Sequence, residues 1–213
     1  MAKLLYIEAS PRKKRSSSIA VTKTFLETYR KTFPEDQIQT IDLWQKEMPE
    51  FSGDVIDAKY AIMHQQPHTA EQIKAWEDVE KIIAEFKAAD KYLFSLPMWN
   101  FGIPYKLKQY FDLLVQPGYT FQVTPQGEYE GLVKDKKVAL IYARGGEYGI
   151  DAAVDFQKKY METILGFIGF KDFVSVIIQP TLTGPEQKKK ILDAAQAEAQ
   201  KKASQFSQSS ASV

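Results

Sequence analysis

The strongest constraint on this chain is the spacing of its apolar residues. Five short runs rich in β-branched and aromatic side chains recur at residues 4–7, 38–43, 92–96, 138–142 and 173–178. All but the run at 38–43 are nearly continuous, as strands buried on both faces of a parallel sheet are. Stripes at helical spacing lie between and after them. Ile19, Phe25, Leu26, Tyr29 and Phe33 form the first, and Ile73, Trp76, Val79, Ile83 and Phe86 the second. Ile103, Leu107, Tyr110, Phe111 and Leu114 form a third, Phe156, Tyr160, Ile164 and Ile168 a fourth, and Ile191, Leu192 and Ala195 the last. Thr69 and Gln72 make a capping box before the second stripe. Pro104 and Pro185 suit the first turns of the third and fifth.

Strict alternation of strands with crossover-length helices predicts an α/β fold, a doubly wound parallel sheet with helices on both faces. Five strands predict the flavodoxin-like order 2-1-3-4-5, in which ligands sit beyond the carboxyl ends of the strands at the switch point. The residues to inspect are therefore those just after the first, third and fourth strands. One domain is expected over 1–203. Residues 204–213, rich in Ser and Gln, read as a flexible tail. Two connections are long: 44–69, with a short helix around Ile56, Tyr60 and Met63, and 117–136, which reads as a hairpin.

Composition removes whole classes of function. The 213 residues are 44% hydrophobic and 26% charged with a net charge of +1, ordinary for a globular protein and without a global field to hold nucleic acid. The absence of cysteine excludes disulfides, thiolate metal sites, iron–sulfur clusters and a thiol nucleophile. No apolar run approaches the ~20 residues of a membrane helix. The run at 4–7 is too short for a signal peptide, so a cytoplasmic protein without a membrane partner is expected. His64 and His68 are four apart but lack the Glu of a zinc helix, and Pro67 interrupts them, so no metal is expected. Neither a G-x-S-x-G elbow, a Walker loop nor a G-x-G-x-x-G fingerprint is present.

After the first strand comes Ser10-Pro11-Arg12-Lys13-Lys14-Arg15-Ser16-Ser17-Ser18 and then a helix. Free amides and hydroxyls at a helix N-terminus suit a phosphate monoester; the alternative is that one serine caps the helix and the others are solvated. The four cations from Arg12 to Arg15 read as a solvated loop that adds a favourable local field. After the third strand comes Pro97-Met98-Trp99-Asn100-Phe101-Gly102-Ile103-Pro104, uncharged and aromatic, with Asn100 offering both donor and acceptor. It suits a planar ligand or a packed loop. After the fourth comes Arg144-Gly145-Gly146-Glu147-Tyr148-Gly149, where paired glycines permit close backbone approach or merely a turn.

Taken together these segments resemble the bacterial FMN-dependent NADH-azoreductases, also called FMN-dependent NADH:quinone oxidoreductases. Met98-Trp99-Asn100-Phe101, running into Ile103-Pro104 and Leu107-Lys108-Gln109-Tyr110-Phe111-Asp112, looks like the family's M-[YW]-N-F…LKxYFD signature. Gly118-Tyr119-Thr120-Phe121, Arg144-Gly145-Gly146 and Leu165-Gly166-Phe167-Ile168-Gly169 resemble further family segments in the same order. The resemblance implies bound FMN, with Ser10, Ser16, Ser17 and Ser18 at its phosphate and ribityl end. Met98, Trp99, Asn100 and Phe101 would line the ring, and Ala143, Arg144, Gly145 and Gly146 its pyrimidine edge. Tyr119 and Phe121 would wall the substrate pocket. Ala143 replaces a common family Ser, Ser17 a common Gln, and Val123 a tyrosine found in some members.

The resemblance further implies a homodimer with the pocket at the subunit interface. NADH or NADPH would deliver a hydride to flavin N5 and leave. A quinone would follow in ping-pong order, and an azo compound would need two such cycles. No protein acid or base is implied. The competing readings are a flavodoxin-like electron carrier without its own NADH reaction, and a hydrolase of the phosphopantetheine arm of acyl carrier protein. Such carriers are usually shorter and strongly acidic, and the chain shows no nucleophile–base pair for hydrolysis.

Overall fold

The computed structural model describes residues 1–63, 67, 69–149 and 152–207. The strands are β1 (Lys3–Glu8), β2 (Gln37–Asp42), β3 (Lys91–Pro97), β4 (Phe121–Val123), β5 (Tyr129–Gly131), β6 (Lys137–Ala143) and β7 (Asp172–Ile178). The helices are α1 (Ser17–Thr32), α2 (Gly53–Met63), α3 (Ala70–Lys87), α4 (Tyr105–Leu114), α5 (Phe156–Phe167) and α6 (Pro185–Ser204). Five strands form one parallel sheet in the order β2-β1-β3-β6-β7. Without the short β4–β5 hairpin this is the expected order 2-1-3-4-5.

Strand periodicity sorts the side chains into two cores. Leu5, Ile7, Tyr92, Phe94, Leu96, Val138, Leu140 and Tyr142 face one way, onto residues of α2 to α5 such as Val79, Phe86, Tyr110, Phe111 and Leu165. Leu4, Tyr6, Leu93, Ala139, Ile141 and Val176 face the other way, onto Val21, Phe25 and Tyr29 of α1 and Ala195, Ala199 and Ala203 of α6. Double burial explains why β1, β3 and β6 read as continuous apolar runs. β2 is an edge strand in which only Ile41 is fully buried, so its sequence alternates.

Local signals hold with one shift. Thr69 and Gln72 form the reciprocal capping box of α3. Pro185 opens α6, whereas Pro104 stands one residue before α4, in the extended conformation of its N-cap. The packed chain runs beyond the expected boundary at 203. Ser204 is still helical, and Phe206 is fully buried, edge-on to Phe25 at 5.4 Å. The rest of the expected tail from 208, and the pair His64 and His68, lie outside the described residues.

Near the amino ends of the strands, buried Lys91 reaches the hydroxyl of Tyr29 at 2.8 Å and Asp36 at 3.0 Å. Asp36 also accepts from the Ala2 amide and from Tyr29, each at 2.6 Å. At the carboxyl ends the strands stop together and release three loops side by side.

Candidate functional site

The loop after β1 enters α1 through serines. Ser16 caps α1, its hydroxyl accepting from the Ile19 amide at 3.4 Å and lying 3.1 Å from the hydroxyl of Ser18. Ser10, Ser16 and Ser18 are buried, and Ser17 is half-buried in the first turn. Capping occupies Ser16 alone. The helix dipole, the free first-turn amides and the remaining hydroxyls are donors of the kind a phosphate monoester takes.

The loop after β3 is a tight turn. The Trp99 amide donates to the Gly102 carbonyl at 3.1 Å, and the Gly102 amide returns to the Trp99 carbonyl at 2.9 Å. Asn100 and Phe101 between them have φ of +47° and +68°. Two left-handed residues inside such a closed loop make a type I′ turn, a geometry glycine and asparagine favour. A phenylalanine there is a strained choice. Phe101 is also 49% exposed, so its ring is not held by core packing. Met98 and Trp99 are partly buried beneath.

The third loop is stitched to the second and to the end of β7. The Met98 amide donates to the Ala143 carbonyl at 2.7 Å, and the Arg144 amide to the Ile178 carbonyl at 2.9 Å. The Thr181 amide returns to the Arg144 carbonyl at 2.8 Å. Gly145 lies so close to Leu182 that a Cβ would meet its Cδ1 at 2.8 Å. Gly146 is open.

Arg144 behaves differently from its neighbours. Its guanidinium is buried and bonded to Asp155 at 2.7 Å, to the Gln157 side-chain oxygen at 3.1 Å and to that of Gln179 at 3.3 Å. The side chain expected at a ligand is thus spent on holding the loop, and the Arg144 amide and carbonyl are likewise bonded, to Ile178 and Thr181. Asp155 divides its oxygens between Arg144 and the Lys158 amide, so it also caps α5.

Tyr119 and Phe121 are not brought to these loops. Tyr119 donates to Glu80, its ring is edge-on to Trp76 at 6.0 Å, and its carbonyl accepts from Lys87, just ahead of β3. Burial, and then Glu80, push its phenol above the ordinary value. Phe121 packs on Phe167, at the end of α5, with ring centres 4.7 Å apart. Both stand at the amino edge of the sheet, opposite the carboxyl-end loops, because α4 runs antiparallel to the strands and delivers the hairpin there.

Trp44 is the residue the sequence reading missed. Its indole donates to the Ala9 carbonyl at 3.0 Å and packs near Trp99 at 5.7 Å and Tyr105 at 5.4 Å. It therefore joins the ends of β1, β2 and β3. The available signal was a tryptophan two residues past a strand, but β2 is an edge strand, away from the switch point.

Beside the turn opens a mainly apolar cleft of about 640 Å³, lined by Phe51, Trp99, Asn100, Ile103, Tyr105, Phe156 and Tyr160 among others. Its size is that of a small-molecule site. Burial pushes the Tyr160 phenol up to about 12, so it is a neutral donor at physiological pH. Among the described residues no cluster of metal-ligating side chains occurs, and no described helix is long and apolar enough to cross a membrane.

A family profile described as a flavodoxin-like fold matches residues 2–203. An FMN-dependent NADH:quinone oxidoreductase of Desulfotalea psychrophila is 47% identical over 201 residues, covering 93% of this chain and 95% of that protein. A protein of the same name from Nitratidesulfovibrio vulgaris is 46% identical over 187 residues, 86% of this chain and 89% of its own. Among solved structures, an azoreductase from Bacillus anthracis superposes with a TM-score of 0.89 at 34% identity, covering 97% of this chain and 100% of that one. An FMN-dependent NADH-azoreductase from the same species, solved in complex with FMN, gives 0.88 at 33% identity, with 97% and 99% covered. With this fold, these three joined loops and relatives this similar over nearly their full length, the chain belongs to the flavodoxin-like family of FMN-dependent NADH:quinone oxidoreductases and azoreductases.

Proposed function

We propose that this chain is an FMN-dependent NADH:quinone oxidoreductase that also accepts azo compounds. The observation that carries the reading is the convergence of a serine-lined helix N-terminus, a strained aromatic turn and a glycine loop at one end of the sheet. The donor set fits FMN: hydroxyls and amides for a terminal phosphate, aromatic surface for a ring, and backbone amides for its polar edge.

Ser10, Ser16, Ser17 and Ser18 would hold the phosphate and ribityl end. Met98, Trp99, Asn100 and Phe101 would line the ring, with Gly145 and Gly146 contributing backbone amides at its polar edge and Ala143 and Arg144 holding that loop in place. The bound flavin would supply the redox chemistry: a hydride taken from NADH and passed to a quinone in ping-pong order, or to an azo bond in two rounds. The chain's own share is positioning and electrostatics. The amides of Gly145 and Gly146 and the side chain of Asn100 favour negative charge at the ring edge. Trp99 and Phe101 hold planar donors and acceptors close and exclude water. No side chain is assigned as acid or base.

The working form is a homodimer with the active site at its interface. Tyr119 and Phe121 lie at the far edge of the sheet in one chain, so only a second copy could present them to these loops. Exposed Phe101, Tyr105, Val123, Tyr129 and Phe156 provide apolar surface for that pairing. Sedimentation at micromolar concentration is expected to give the mass of two chains. A single-chain mass with full activity would refute the interface site.

The activity test is spectroscopic. The purified protein, supplied with FMN, is treated with NADH in the absence of oxygen. Rapid bleaching of the bound flavin and recovery on adding a quinone are expected. Flavin that binds but is not reduced by NADH would instead support an electron carrier. Asn100→Ala is expected to weaken FMN binding or slow the bleaching, and unchanged values of both would remove that residue from the reading.

A further inference from the structure

Glu8 and Asp42 end neighbouring parallel strands and are direct register partners, so two carboxylates stand side by side at the sheet edge. Like charges placed opposite each other in a sheet are destabilising. Lys13, from the loop between β1 and α1, bridges them, reaching Glu8 at 2.6 Å and also bonding Asp42. To do so it takes φ of +46°, a left-handed conformation rare for a lysine. Its neighbours Arg12, Lys14 and Arg15 make no ion pair among the described residues. One cation of this loop is therefore committed inward, three residues before Ser16.

We propose that Lys13 is a positioning residue that cancels the Glu8–Asp42 charge, so that the adjacent serine loop can accept a phosphate dianion. It acts through the carboxylates and not as a ligand of the phosphate. The inference rests on the FMN reading of the site and adds to it which cation of the loop matters and how. Two uncancelled carboxylates next to a doubly charged phosphate would oppose its binding, whereas an uncharged ligand would not feel them.

The test is the affinity for FMN relative to riboflavin, which lacks the phosphate, measured by fluorescence titration of the flavin-free protein. Wild type is expected to favour FMN. If it binds neither flavin, or both equally, the phosphate-site reading itself fails. Lys13→Met is expected to lower the FMN-to-riboflavin ratio about fivefold or more with riboflavin affinity unchanged. The triple variant Glu8→Gln/Asp42→Asn/Lys13→Met is expected to restore most of the ratio. A wild type that discriminates, with an unchanged ratio in Lys13→Met, overturns the proposal alone. So does a triple variant as weak as Lys13→Met, which would make Lys13 a direct phosphate ligand. Should Lys13→Met not fold, Glu8→Gln/Asp42→Asn decides: a ratio equal to or above wild type supports the proposal, and a lower one refutes it.

Discussion

Replacing Asp155 by asparagine tests what a buried ion pair contributes to the fold. The side chains of Arg144 and Asp155 are 2% and 8% exposed, with nitrogen and oxygen 2.7 Å apart. Removing one partner of such a pair strands the other charge and costs about 3–5 kcal/mol. Asparagine has one oxygen where Asp155 uses two; spent on the Lys158 amide it keeps the cap of α5 but turns its amide group towards the guanidinium, so Asp155→Asn strands the charge and costs about 3 kcal/mol. Asp155→Ala also removes the bond from the Lys158 amide and adds about 1 kcal/mol. For a domain of this size the asparagine variant should melt about 6–12 °C below wild type. Urea unfolding of the flavin-free protein, followed by circular dichroism, measures both variants free of ligand effects. An Asp155→Asn variant within about 1 kcal/mol of wild type would mean that water reaches the pair, and the reasoning would fail. Arg144→Met/Asp155→Leu should recover much of the loss, since a buried pair can be replaced by apolar side chains at little cost.

Three further outcomes are expected. Gly131→Ala should destabilise by about 3 kcal/mol or more in a urea titration, because its Cβ would lie 2.3 Å from the Gly169 amide nitrogen, whereas Gly145→Ala meets only the exposed, movable side chain of Leu182 and should cost under about 1 kcal/mol. Phe101→Gly relieves a strained φ at an exposed position and should stabilise the flavin-free fold by up to about 1 kcal/mol while weakening FMN binding; a loss of stability would show the ring to be a packing residue. Partial burial raises the Asp36 carboxyl, but bonds from Tyr29, the Ala2 amide and Lys91 outweigh it and hold the group below its ordinary value. Its stabilisation is therefore complete above the unfolded value of about 3.9 and is lost as pH falls through the folded one. The stability gap between wild type and Asp36→Asn should narrow as pH falls below about 4 in denaturant titrations, and a constant gap would refute the assignment.

The sheet was legible because double burial leaves a plain mark. Leu93, Phe94, Leu140 and Ile141 have no solvent face to alternate with, and the capping residues Thr69 and Gln72 act within one turn. The position of the three carboxyl-end loops was legible too, since it follows from strand order. Relations between distant residues were not. Nothing near Arg144 in sequence says that Gln179 will accept from it, or that Lys13 will be held by residues of two strands. The distance of Tyr119 and Phe121 from the loops of their own chain was not legible, because motif order says nothing about which end of the sheet a helix delivers them to. Phe206 was misread because a polar tail composition conceals one buried ring.

That ring has a consequence for how the protein is made. Phe206 contacts Phe25 and Tyr29 of α1, and α1 and α6 otherwise cover the same face of the sheet. The partners of the first helix are thus made long after it. The opposite face is closed by helices drawn from the middle of the chain and can assemble while translation continues. The α1 face must wait, carrying Val21, Phe25 and Leu26 without the cover of α6 until that helix has been made. Closure of that face is a contact of very long sequence separation and belongs to the slow part of folding.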